Sequence, residues 1–255
     1  MEDVVFTPGG MMPAAASYES LLRFLGSGIR PLLKDFELYS HEKPPEGYSL
    51  MTEVDGLRTA IDAAGLETFH LVGYSACLPL AFVAQHPSRV RTVTLVEPGM
   101  IDHGPFAPAE MVAEHRKRIG LPPQQQMAAM ARSMVAPGVN LSPQPASEPS
   151  PPWMQQRLRI GPALVQALID YDLDVDALRH FNGPVLIAVG SFSHPSLVGL
   201  ARRMAETFPN GQLAVYERRH HMDPIHRADP ERFAADLRAH WGRAAAVAGT
   251  GSAHT

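Results

Sequence analysis

Ser75, in Val72-Gly73-Tyr74-Ser75-Ala76-Cys77, is the residue of this chain best placed to do covalent chemistry. An apolar run of strand length, Thr68-Phe69-His70-Leu71-Val72, precedes it, and a helix-length apolar run over residues 78–87 follows. A strand, a sharp turn and a helix would lift the serine hydroxyl clear of a sheet and above a helix N-terminus, where developing negative charge is stabilised. Such a turn admits only small residues two positions to either side; Gly73 meets that need fully and Cys77 less comfortably. A serine hydroxyl is a weak nucleophile until an adjacent base takes its proton. His220 and His221 supply two candidate bases in Arg219-His220-His221-Met222-Asp223-Pro224, after the last strand-length run.

The elements that must position these groups alternate along the chain. Strands are expected at residues 4–7, 36–39, 68–72, 93–97, 184–190 and 212–216. Helices are expected around residues 20–25, at 50–64, after Ser75 and at 230–238. Alternation of this kind implies a mostly parallel sheet with helices on both faces. Strands buried on both sides read as plain apolar runs, as these do.

With these pieces in series, residues 4–241 resemble an α/β-hydrolase, whose catalytic groups follow the order serine, acid, histidine. The resemblance implies an α/β-hydrolase fold with a mostly parallel sheet of about six strands and an inserted helical lid. Only Met1-Glu2-Asp3 precede Val4, so the usual N-terminal hairpin is expected to be lacking, leaving a sheet edge that a second copy of the chain would cover as a homodimer. The domain reading is a core over residues 1–98 and 182–242, a lid over 99–181 and a disordered tail over 243–255.

The same resemblance assigns roles. Ser75 is the nucleophile, and His221 is preferred as base because relatives place that histidine before an aromatic or apolar residue, here Met222; His220 is the runner-up and His226 reads as structural. In most relatives an aspartate follows the strand that here ends at Gly190, but this chain has Gly190-Ser191-Phe192-Ser193-His194-Pro195, with Ser193 near its place. Glu97, at the end of the preceding sheet strand, is the expected acid; Asp102 and a dyad without an acid are the alternatives. The oxyanion hole falls to the Ala76 N–H together with that of Gly10 or, second, Met11, in Pro8-Gly9-Gly10-Met11.

Bulk properties narrow the function. A net charge of −4 in 255 residues gives no support for nucleic-acid or membrane-surface binding. Cys77 is the only cysteine, which excludes an intrachain disulfide, and the basic start of a signal peptide is missing, so a cytoplasmic location is expected. Neither metal nor other cofactor is expected: His220, His221, Asp223 and His226 lack a second ligand set, and the acidic run over residues 170–176 lacks the glycine and terminal glutamate of a calcium loop. Lid helices are expected at 108–118, 124–135 and 153–171, with a Pro-rich loop over 136–152. Met127, Met130 and Met134 share a helical face there and, with Met11 and Trp153, are the expected pocket. The lid's one basic cluster, Arg116-Lys117-Arg118, reads as a solvated helix end. The function implied is a serine hydrolase of an ester, lactone or thioester of a hydrophobic small molecule. A cyclase or carbon–carbon bond-cleaving enzyme of secondary metabolism, and a non-catalytic ligand-binding protein, are the alternatives on the same fold.

Overall fold

A computed structural model of the chain describes residues 1–76, 78–99, 113, 116, 117, 121–141 and 151–251, with the backbone alone for 123, 124, 126, 127, 152 and 245–251. Among these residues six strands form one wholly parallel sheet: β1 (Glu2–Thr7), β2 (Ile29–Leu33), β3 (Phe69–Tyr74), β4 (Val90–Val96), β5 (Val185–Gly190) and β6 (Gly211–Tyr216), in the order β2-β1-β3-β4-β5-β6. β3 and β5 are buried at every position, which is why they read as uninterrupted apolar runs.

Helices cover both faces. On one lie α1 (Ala14–Leu25), the short α8 (Ile225–Ala228) and the C-terminal helix α9 (Pro230–Gly251), burying Tyr18, Leu21, Ile225, Phe233 and Leu237 against Val4, Phe6 and Val72. On the other, α2 (Leu50–Ala63), α3 (Leu78–Gln85) and α7 (Pro195–Thr207) bury Leu57, Ile61, Leu80 and Leu200 against Val5, Leu71 and Ile187. Between β4 and β5 run α4 (Pro123–Ser133), α5 (Pro152–Asp170) and α6 (Val175–Arg179). Two of the expected lid helices are thus present; the third, at 108–118, lies almost entirely outside the described residues, as do residues 142–150 of the Pro-rich loop. Among the described residues no helix is long and apolar enough to cross a membrane.

The topology fixes where a ligand can sit. β1 has β2 on one side and β3 on the other, so the connections leaving β1 and β3 diverge, and a crevice opens outside their carboxyl ends. The loop with Gly9 and Gly10 follows β1, and Ser75 follows β3.

Two expectations need correction. Residues 36–39 are not a strand; the sheet strand is β2, and Glu37–Ser40 form a short 3-10 turn. Pro31 paired with Val4 is tolerated because β2 is an edge strand, and that proline hid it in the sequence. The 37–40 segment is instead organised by the buried carboxylate of Glu53, which accepts from the N–H groups of Glu37 (2.6 Å) and Leu38 (3.0 Å) and from the Tyr48 hydroxyl (2.6 Å). The second correction concerns the tail: α9 continues past Arg243 to Gly251, through an alanine-rich stretch of high helix propensity. Residues 252–255 lie outside the described ones.

Buried imidazoles make the fold acid-sensitive. His240 sits under the sheet with Nε2–H donated to the Val93 carbonyl (3.0 Å), and burial pushes its pKa down to about 3; His70, stacked on Trp241, is pushed down to about 4. Groups with depressed folded pKa values stabilise the fold fully above their unfolded value of about 6.5, and that stability is lost as the pH falls toward the folded values. The urea midpoint should therefore fall between pH 6.5 and 4. His240→Gln should make the decline shallower by up to about 1.4 kcal/mol per pH unit, the contribution of one proton.

Candidate active site

Ser75 adopts a left-handed backbone, φ 61°, which a residue with a side chain reaches only at a cost of about 1–3 kcal/mol. Its surroundings enforce that conformation. The Ser75 N–H donates to the Val96 carbonyl and the Ser75 carbonyl accepts from Gly99 N–H, both at 3.0 Å, pinning the turn to the end of β4. A Cβ on Gly73 would lie 2.4 Å from Pro79 Cγ and 3.1 Å from Thr7 Oγ1, so the small residue expected two positions before the serine is a steric requirement. Cys77, two positions after, lies outside the described residues.

The Ser75 hydroxyl stands 3.0 Å from Nε2 of His221, and both residues are buried. Tyr74 holds the histidine, donating its hydroxyl to the His221 carbonyl at 2.6 Å with its ring 5.5 Å from the imidazole. His220 turns away, and its Nδ1 accepts from the Met222 N–H at 3.2 Å. His226 is fully buried, with Nε2 3.3 Å from the Ser17 hydroxyl. Of the three histidines, the structure brings His221 to Ser75. Burial lowers its pKa to about 3, helped by Arg227 and His220, so the ring is neutral and its Nε2 is free to take a proton.

Glu97 is placed differently from its expected role. It too has a left-handed backbone, φ 50°, and its carboxylate accepts from Gly190 N–H and from the Ser193 hydroxyl, each at 2.7 Å. Ser193, noted in the sequence as standing near the place where most relatives carry an aspartate, thus binds the Glu97 carboxylate. What Glu97 presents to His221 is its main-chain carbonyl, which favours the protonated ring, but the buried Nδ1 completes no hydrogen bond with it or with any other group among the described residues. Burial outweighs the two hydrogen bonds and pushes the Glu97 pKa up to about 7. Asp102 lies outside the described residues.

Ala76 is buried directly after the serine, and Gly9, in the loop after β1, packs against the turn: a Cβ there would lie 2.9 Å from the Tyr74 ring and 3.2 Å from Ser75 Cβ. The next residue, Gly10, is fixed through its carbonyl, which accepts from the Tyr39 hydroxyl.

No family model matches the sequence, and no curated protein does. Solved structures do match. An esterase from Thermogutta terrifontis, determined with malate bound, superposes over 96% of this chain and 90% of its own with a TM-score of 0.68 at 16% identity. A carboxylesterase from Nitrososphaera gargenis does so over 98% and 92%, with a TM-score of 0.67 at 17% identity. MGS-M2, an alpha/beta hydrolase enzyme from a Medee basin deep-sea metagenome library, covers 94% and 89% with a TM-score of 0.67 at 14% identity. This chain has the α/β-hydrolase fold.

Of the described residues expected to line the pocket, Met134 is the one that lies beside the serine and histidine. Met134 is buried beside His221: the point a Gly99 Cβ would occupy is 3.5 Å from its sulfur and 2.9 Å from the imidazole Cε1. Met130 is half-buried against the core, Met11 is half-buried in the loop after β1, and the side chain of Met127 lies outside the described residues. Trp153, on α5, faces Arg157, whose guanidinium carbon is 5.8 Å from the indole and 4.1 Å from the Tyr39 ring. Arg157 is a residue the sequence reading passed over, although a signal exists: it lies in helical register with the buried Ile160, Leu164 and Leu168. An open groove of about 530 Å³ between α2 and α5, lined by Tyr48, Leu50, Ala163 and Tyr171 among others, contains none of the serine-site residues.

The glycine constraints predict that Gly73→Ala lowers stability by about 1–3 kcal/mol in urea unfolding, the cost of overpacking a closed site. Gly9→Ala should instead lower the reactivity of Ser75, since its Cβ meets the serine Cβ and the Tyr74 ring.

Proposed function

We propose that this protein is a serine hydrolase that cleaves an ester, lactone or thioester of a largely apolar small molecule through an acyl-enzyme. The observation that carries the reading is the Ser75 hydroxyl 3.0 Å from a buried, neutral His221 imidazole on a strained elbow. Esterases among the structural neighbours support the reaction class. Ser75 Oγ attacks the carbonyl as its proton passes to His221 Nε2. The oxyanion that forms takes hydrogen bonds from the Ala76 and Gly10 N–H groups, and its collapse expels the alcohol or thiol, which receives the proton back from His221. Water then repeats the sequence on the acyl-serine, losing its proton to His221 and releasing the acid.

Glu97 is the acid in this reading, engaged only when charge develops. In the resting arrangement its carboxylate rests on Gly190 N–H and Ser193, and its raised pKa reflects burial without a cation. Protonation of His221 at Nε2 creates that cation and sharpens the demand of Nδ1–H for an acceptor, so rotation of the Glu97 side chain toward the ring answers both needs.

Fluorophosphonate labelling tests the assignment. Ser75→Ala should abolish labelling and His221→Ala should slow it by about 10³-fold or more. Glu97→Gln can still accept from Ser193 and Gly190 N–H but cannot stabilise an imidazolium, and should slow labelling by about 10²–10⁴-fold. The pH profile separates the roles. If the Glu97 carboxylate must be ionised, the rate is full above about 7 and declines as the pH falls through that value. The Glu97→Gln profile should be flat across the same range, because His221 stays neutral down to about 3. Absence of labelling in folded wild type would overturn the hydrolase reading and favour a ligand-binding protein.

A further inference from the structure

We infer that Arg157 is a specificity residue that receives a carboxylate of the substrate, so that the molecule cleaved is an ester bearing both an apolar body and a carboxylate. The inference rests on the serine-hydrolase reading and narrows its substrate class.

Arg157 is an unusual side chain for its position. It is 3% exposed, on the buried face of α5, in a helix whose other inward residues are aliphatic. A buried arginine ordinarily places its fork of N–H groups on carboxylates or carbonyls, because leaving them unmet forfeits the hydration given up on folding. Here Nη1 is buried and meets no acceptor among the described residues. Nη2 has Asp35 Oδ1 at 3.4 Å, longer than the 2.7–2.9 Å of a charge-assisted hydrogen bond. That oxygen is committed elsewhere, accepting from Ala14 N–H at 2.8 Å, and the Asp35 side chain is 44% exposed, so the ion pair is one-sided and partly screened by water. The guanidinium carbon lies over the Tyr39 ring at 4.1 Å and the Trp153 ring at 5.8 Å. Its planar edge is what remains for a partner, and the planar oxyanion that matches such an edge in two hydrogen bonds is a carboxylate.

The position of this edge ties it to the reaction. Tyr39, beneath the guanidinium, donates its hydroxyl to the carbonyl of Gly10, and Gly9 packs on Ser75. Gly161, one turn on from Arg157, lies against the same tyrosine: a Cβ there would touch the Tyr39 hydroxyl at 3.4 Å. One continuous stack thus leads from the helix through Tyr39 and the loop after β1 to the serine. Met134 beside His221 supplies the apolar part of the same site. A purely hydrophobic substrate would leave Nη1 buried and unmet in the complex as well.

The test compares matched esters with the carboxylate on either side of the scissile bond: p-nitrophenyl hemiglutarate against p-nitrophenyl butyrate, and 3-acetoxybenzoate against phenyl acetate. Arg157→Gln should lower kcat/KM for at least one charged member by about 30-fold or more, mainly through KM, and leave the neutral members within about threefold. Arg157→Lys, which keeps the charge and loses the fork, should fall between, and covers the case in which the glutamine variant does not fold. Asp35→Asn should retain the preference for the charged ester, since it frees Arg157 further. Equal losses on charged and neutral esters, a wild-type preference for the neutral ones, or an Asp35→Asn variant that behaves as Arg157→Gln would each overturn the inference and make the pair a brace between helix and core. If wild type turns over none of the four, absence of fluorophosphonate labelling marks the failure of the hydrolase reading itself. Calorimetry with glutarate on the Ser75→Ala protein then decides the Arg157 question separately. Binding that disappears on adding Arg157→Gln supports it, and no binding overturns it.

Discussion

A serine forced into left-handed backbone geometry is the constraint around which this molecule is arranged. The strain at Ser75 persists because the surroundings permit nothing else: two hydrogen bonds to the end of β4 and its following loop hold the turn, and glycines at positions 9 and 73 let β1 and α3 come closer than any side chain would allow. Strain held this way projects the hydroxyl out of the sheet at the place where the connections of a parallel sheet diverge. The rest of the fold supplies a rigid frame of six strands with both faces covered, so that the turn cannot relax without disturbing the core.

Burial sets the electrostatics of the site. His221 is neutral because burial would strip an imidazolium in its position of hydration and Arg227 and His220 oppose its charge, while Glu97 is held partly protonated near neutrality because burial outweighs its two hydrogen bonds. The two groups are perturbed in opposite directions by the same low-dielectric setting, and each would relieve the other on proton transfer. In the proposed mechanism they are the acid and the base, kept apart at rest and coupled in the transition state. Arg157 belongs to the same setting from the helical side: a permanent charge, buried, with part of its hydrogen-bonding capacity unspent.

Most of the architecture was legible in the sequence because parallel strands buried on both faces, and helices with one buried stripe, leave periodic signatures that do not depend on partners. The exceptions are instructive. β2 carries Pro31, a residue that argues against a strand unless that strand is at an edge, and edge position is a property of the sheet and not of the segment. Residues 36–39 have the composition of a strand, but the N–H groups of Glu37 and Leu38 are taken by Glu53, sixteen residues on from Glu37 in the chain. α9 overran its expected end because short-range helix propensity outweighed the polar and glycine signals near Arg243.

By itself the sequence determined that Ser75 would sit on a sharp strand-to-helix turn and that a histidine after the last strand would be available to it, since a strained turn and a strand order each demand particular residue types at particular spacings. Only the tertiary structure decided between His220 and His221, turned the Glu97 carboxylate onto Ser193 and Gly190, and buried Arg157 over Tyr39. Those outcomes depend on side-chain direction and on groups brought together from distant parts of the chain, and backbone periodicity does not encode them.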